Sequence, residues 1–220
     1  MRVLAAEGCN VAFCARNQAR IASTLRSVGS LPGSVEASAI DVADRKRFSA
    51  WLESLDSFDI FIPNVSALSA DWDASVQTDI SATVGATEEA VPFLLRSSHA
   101  AITYIGSKAS SVLTPNSAAY GAAKAAMAHY MKSLAMRLLP AVRVNTISPG
   151  DALFDGCLWD RVRLQEPEKF EKVLARNPMK RLATAEEVAR VVAFISSPAA
   201  GFVAGANWYV DGGSVSHVQF

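Results

Sequence analysis

Cysteine and histidine are scarce in this 220-residue sequence, with three of each. Cys9, Cys14 and Cys157 are odd in number and widely spaced. That excludes a disulfide framework and a thiolate metal site, and fits idle thiols in a reducing compartment. His99, His129 and His217 are scattered and accompany no carboxylate motif, so the pattern offers no zinc site. Net charge is missing as well, because 21 basic residues balance 21 acidic ones. No overall field draws the chain to nucleic acid or to an anionic membrane. Long apolar runs are also lacking. No segment approaches the roughly 20 residues that span a bilayer, and Met1-Arg2-Val3-Leu4-Ala5-Ala6-Glu7 does not read as a secretion signal. The expectation is a cytoplasmic protein with a small-molecule or protein partner, no nucleic acid and no membrane.

What is present is apolar residues, 50% of the total, enough for one sizeable core in a single domain spanning 1–220. Short apolar runs, NVAFCA, ASAID, DIFIPN, AITYIGS, VRVNTIS and NWYVDGG, read as buried strands. Helical patterns lie between them: Asn17 to Val28, Arg45 to Leu55, Trp72 to Leu95, Ser117 to Leu138 and Thr184 to Ser196. Strand followed by helix, repeated, predicts an α/β fold with a parallel sheet covered on both faces. Asp151 to Pro178 breaks the rhythm, and in doubly wound sheets such an excursion commonly lies over the ligand crevice. Leu153, Phe154, Leu158 and Trp159 near its start would form an apolar lid over a substrate with hydrophobic bulk, or simply cap the core.

The pattern Tyr-x-x-x-Lys occurs twice in YIGSKASSVLTPNSAAYGAAK, as Tyr104/Lys108 and as Tyr120/Lys124. A tyrosine with a reference pKa of about 10 becomes useful at neutral pH if a lysine beside it favours the phenolate. Tyr104 sits in a strand running into a loop, where residues four apart are separated by more than about 12 Å. Tyr120 sits in an alanine-rich helix, where positions i and i+4 lie about 5–6 Å apart on one face. Only the second pair can couple on this reading, and the first is a coincidence.

With Ser107 thirteen residues before Tyr120, Pro149-Gly150 after the sixth expected strand, and RLATAEEVARVVAFISSPAAGFVAGANWYVDGG at the C-terminal end, the sequence resembles the short-chain dehydrogenase/reductase family over essentially its whole length. The resemblance implies a Rossmann-like, doubly wound, three-layer fold. It also implies hydride transfer between a nicotinamide and a carbonyl or alcohol, a ketone or 3-oxoacyl compound at family level. Tyr120 would be the general acid–base and Ser107 would hold the reacting oxygen. Lys124 would lower the Tyr120 pKa and bind the nicotinamide ribose. Asp79 falls where the family places a relay asparagine, Asn64 is the surviving asparagine after the fourth strand, and Asp41-Val42 match an adenine-contacting pair. Arg16 stands where NAD-dependent relatives carry an acidic residue, so NADP(H) is favoured over NAD(H). Pro149 and Gly150 complete the cofactor set, Phe154 replaces a carboxamide-contacting threonine, and no metal is expected. Family relatives form dimers or tetramers through two long helices and the C-terminal strand, and AAKAAMAHYM suits such contact.

The resemblance also marks a gap. The first strand, central in that fold, and its glycine-rich turn are missing, because the sequence starts inside the first family helix. Either the start is internal to an enzyme longer by roughly 20–25 residues, or the second strand closes on the fourth. The alternative function is an inactive homologue serving as a binding or assembly subunit.

Overall fold

Strands of about five apolar residues acquire stability only by pairing and by burying their faces, and here they do both in parallel ladders. The computed structural model describes residues 1–218. In chain order the elements are α1 (Arg2–Ala6), β1 (Val11–Ala15), α2 (Gln18–Val28), β2 (Val35–Ala39), α3 (Arg45–Leu55), β3 (Ile60–Phe61) and α4 (Trp72–Ala74). There follow a π-helical stretch (Ser75–Ala82), α5 (Thr83–Leu94), β4 (Ala101–Ile105), α6 (Ala118–Leu138) and β5 (Arg143–Pro149). The chain ends with β6 (Ala152–Leu153), α7 (Leu158–Gln165), α8 (Pro167–Arg176), β7 (Ala183–Thr184), α9 (Ala185–Ser196) and β8 (Asn207–Val210).

β3, β4, β5 and β8 form one sheet in that order, and β1 pairs only with β2. All of these ladders are parallel. β1 makes no ladder with β3, so the place of the central strand stays open and the closure of the second strand on the fourth does not occur. β3 therefore has a neighbour on one side only, which accounts for a ladder of two residues where DIFIPN predicts a full strand. The β1–β2 pair is joined to the rest through helices. Phe48 and Leu52 of α3 pack with Ile40 and Val42 against Ala82, Ala86 and Ala90 of the π–α5 segment.

The four-stranded sheet is covered on both faces, as a strand period of two requires. Ile102, Tyr104 and Val144 meet Leu94 of α5 and Met127, Met131 and Leu134 of α6. On the other face Ile147 meets Val192 and Ile195 of α9, and Thr103 shares a 2.8 Å hydrogen bond with Ser196. Arg143 ties that layer down, its guanidinium donating to the carbonyls of Ile195, Ser196, Ser197, Ala200 and Val203.

Residues 151–178 fold as α7 and α8 with a small core of their own, Val162 and Phe170 packing with Leu182, Leu153 and Trp159. Two-residue strands β6 and β7 pair at its base. No helix among the described residues is long and apolar enough to cross a membrane.

Candidate active site

Three elements bring the reaction-centre residues together. β4 delivers Ser107 just past its carboxyl end, where the side chain accepts from Ala109 N at 3.1 Å and caps a single 3₁₀ turn, Lys108–Ser110. α6 delivers Tyr120 and Lys124 one turn apart, with Lys124 on its buried face beside Met127 and Met131. Gly121 permits the close approach of α6 to the Ser107 loop, since a Cβ there would come 2.4 Å from Thr114 Oγ1. Asp79 arrives from the π-helical stretch. The sequence reading had one continuous helix over Trp72 to Leu95, and the wide turns inside it, marked by the Thr83 hydroxyl donating to Thr78 O five residues back, are the difference. Such π turns are frequent at functional sites because they re-aim a side chain.

The charges are deeply buried. Lys124 is 3% exposed and Asp79 0%. The Lys124 ammonium lies 3.6 Å from Asp79 Oδ1, donates to Tyr104 Oη at 3.0 Å and donates to Ile105 O at 3.2 Å. It sits 5.0 Å from the Tyr104 ring centroid and 5.6 Å from that of Tyr120. Asp79 Oδ2 accepts from Ala67 N, whereas Oδ1 is buried without a hydrogen bond. Burial draws the Lys124 pKa below its usual value, and Asp79 opposes the shift.

Tyr120 is also shifted, upward. Burial is the main cause, a hydrogen bond with Ser107 opposes it, and the Asp79 charge reinforces it. The shift is upward despite the lysine one helical turn away. The ammonium is directed at Tyr104 and Ile105, and in this buried site desolvation and the carboxylate outweigh it.

The other sequence-predicted residues are spread more widely. Pro149 and Gly150 end and follow β5. Gly150 is pressed against Asp211, where a Cβ would come within 2.7 Å of Cα, and its N–H donates to Val210 O. Arg16 follows β1 and Asp41 follows β2, facing each other at 3.9 Å on the surface. Asp41 caps its own turn by accepting from Ala43 N. The Val42 side chain is buried in the packing against α3, so any contact it makes with a ligand is through its backbone. Asn64 is exposed in the loop after β3.

Sequence reasoning missed three residues. Tyr104, set aside as a coincidence, is 0% exposed and holds Lys124. Its former partner Lys108 turns the other way and ion-pairs with Asp151 Oδ2 at 2.5 Å. Asp151 Oδ1 accepts from Trp159 Nε1 at 3.1 Å. Together with Val173, Arg176 and Ser214 these residues line a cavity of about 290 Å³ beside the Ser107 loop. Of the four apolar residues predicted to form a lid, only Trp159 lines it. Leu153 packs into the small lid core, and Phe154 and Leu158 are exposed.

Two observations bear on a dinucleotide. The buried ammonium keeps one donor beyond Tyr104 and Ile105, which suits a ribose hydroxyl. The segment before β1, MRVLAAEGCN, has a single glycine and a five-residue helix, so no glycine-rich phosphate turn stands among the described residues. The free donor of Lys124 fits the nicotinamide-ribose end of such a group.

The cluster lies past the carboxyl end of an inner strand of a parallel α/β sheet, where ligands bind in Rossmann-type folds. A family model described as enoyl-(acyl carrier protein) reductase matches residues 1–215. The chain belongs to the short-chain dehydrogenase/reductase family. It is 33% identical to isoepoxydon dehydrogenase patN of Penicillium expansum, over 97% of this chain and 88% of that protein. It is 26% identical to 3-oxoacyl-(acyl-carrier-protein) reductase FabG of Thermotoga maritima, over 97% and 90%. The crystal structure of L-sorbose reductase from Gluconobacter frateurii, complexed with NADPH and L-sorbose, superposes with a TM-score of 0.88 at 25% identity, covering 99% of this chain and 91% of that one.

Proposed function

We propose that this protein is an NADP(H)-dependent oxidoreductase that interconverts a ketone or 3-oxoacyl compound and its alcohol. The observation that carries the reading is the convergence of half-buried Tyr120 and Ser107 with buried Lys124 and Asp79. The names of the relatives, an isoepoxydon dehydrogenase and a 3-oxoacyl-(acyl-carrier-protein) reductase among them, support the same chemistry. When bound, a nicotinamide dinucleotide supplies or accepts the hydride. Tyr120 donates its phenolic proton to the carbonyl oxygen during reduction, and its raised pKa keeps that proton in place at neutral pH. Ser107 donates to the same oxygen and fixes it against Tyr120. Lys124 binds the ribose with its remaining donor, and Asp79 supplies the charge that keeps the ammonium protonated.

Arg16 is exposed and only loosely paired, so it is free to meet a 2′-phosphate, which favours NADP(H). Asp41, Val42, Asn64, Pro149 and Gly150 border the cofactor. Residues 151–178 act as the substrate lid within a single domain, with Trp159 and Val173 giving the cavity its apolar wall. The protein works in the cytoplasm as a homodimer or homotetramer, the exposed Ala122, Ala125 and Ala126 of α6 suiting close helix contact.

A second reading, an inactive homologue that binds or assembles, draws on there being no glycine-rich phosphate turn among the described residues. Titration with NADPH followed by turnover of a ketone panel separates the two. The enzyme reading expects binding, and a fall of about 10²–10⁴ in kcat for Tyr120→Phe. Failure of the wild type to bind any nicotinamide nucleotide refutes it.

A further inference from the structure

We propose that Tyr104 is a positioning residue of the reaction centre, whose buried hydroxyl fixes the direction of the Lys124 ammonium. The proposal rests on the reading of Tyr120 and Lys124 as the acid–base pair and adds a residue to it. A phenol at this point of the core needs a reason. Tyr104 is wholly buried among Ile102, Met127, Met131 and Val144, where phenylalanine would pack as well and carry no desolvation cost. Its hydroxyl is compensated by one partner, the Lys124 ammonium at 3.0 Å.

The geometry follows from two periodicities. Alternation along β4 turns Ile102 and Tyr104 toward α6, and the helical repeat turns Lys124, Met127 and Met131 toward β4. The ammonium has three hydrogens. Tyr104 Oη takes one and Ile105 O takes a second. The third is left for Asp79 Oδ1 at 3.6 Å or for a ligand. The lysine head is thereby held in one orientation before anything binds, which is how a site lowers the ordering cost of catalysis.

The groups facing the ammonium are Asp79 from the π-helical stretch, Tyr104 and the Ile105 carbonyl from β4, and Tyr120 from α6 itself. Burial foremost, then the Asp79 charge and Tyr120, hold Tyr104 protonated far above the ordinary tyrosine range. It therefore serves Lys124 as a neutral acceptor, while Asp79 supplies the charge.

The test is Tyr104→Phe, which keeps the ring and the core volume and removes one oxygen. Lysine side chains labelled with ¹³C at Cε are titrated by NMR in both proteins, the Lys124 signal being assigned by its loss in Lys124→Met. Removal of one hydrogen bond to the charged form is expected to lower the Lys124 pKa by about half a unit or more. With an active wild type, kcat for reduction should fall about tenfold at nearly constant KM for the cofactor. The alkaline limb of the pH–rate profile should move upward, because a weaker cationic neighbour leaves Tyr120 harder to ionise. An unchanged Lys124 titration overturns the proposal, as does an unchanged kcat with an unchanged pH profile. A wild type that turns over no substrate refutes the enzyme reading instead, and the lysine titration then decides the role of Tyr104 by itself.

Discussion

In the four-stranded sheet the charged groups are buried and gripped from several sides, whereas in the β1–β2 pair they lie at the surface and barely touch. Lys124 and Asp79 are 3% and 0% exposed; Lys124 is held by Tyr104 and Ile105 and Asp79 by Ala67. The Arg16 and Asp41 side chains are 76% and 46% exposed and 3.9 Å apart. The first arrangement is held by hydrogen bonds within the core, and the second is left to solvent. One fold thus carries a gripped cluster of buried charge and a loosely paired one, on separate sheets.

The largest effect is expected where burial is deepest. Asp79→Ala leaves the Lys124 ammonium without a counter-charge inside the core, a change that costs about 3–5 kcal/mol when a buried pair is broken. Urea unfolding of the variant should lose that amount. A loss below about 1 kcal/mol would mean that the lysine is already neutral and that the two halves of the molecule do not differ in this respect.

Much of this contrast could be read from the sequence, and the parts that could not have physical reasons. Spacing paired Tyr120 with Lys124, because the i, i+4 rule inside a helix depends on no other element, and Ser107 was supplied by the family resemblance alone. Strand geometry, applied to Tyr104 and Lys108, denied them a mutual contact but said nothing of their contacts elsewhere. Tyr104 meets Lys124 only because α6 packs on β4, and Lys108 meets Asp151 only because β5 lies beside β4. The alternation of Ile102 and Tyr104, set against the inward face Lys124, Met127, Met131, was the available signal. Asp79 could be placed by resemblance, but its π-helical setting leaves no mark on a pattern read at 3.6 residues per turn. Which of the residues at the start of 151–178 would turn inward was hidden for a simpler reason. Apolar type alone could not show that Leu153 would turn into a private core while Phe154 and Leu158 faced water.

The packing that joins the halves gives the next test. Leu52 is 1% exposed and lies between Ile40 and Val42 on one side and Ala82, Ala86 and Ala90 on the other. Leu52→Ala should cost about 2–5 kcal/mol. Hydrogen exchange should locate the loss, with amides of β1, β2 and α3 speeding up and those of β4 and β5 staying protected. Uniform acceleration throughout would show the two halves opening as one unit. Ala82 ends the stretch that carries Asp79, so coupling through this cluster is the route by which the comparison could fail.

Arg16→Ala carries the smallest effect and the most specific one. An exposed guanidinium contributes little to stability, because solvent screens its pairing with Asp41. It gains value only when a phosphate arrives, since charge-assisted bidentate bonds to phosphate outweigh a loose contact with a carboxylate. NADPH affinity should therefore fall about tenfold, equivalent to roughly 1.4 kcal/mol, with NADH affinity and the melting temperature nearly unchanged. Parallel loss for both nucleotides would place Arg16 away from the 2′-phosphate. A fall in melting temperature without any nucleotide present would show that the Arg16–Asp41 pair holds β1 to β2, and that this half of the molecule is ordered by its own charges rather than by a ligand.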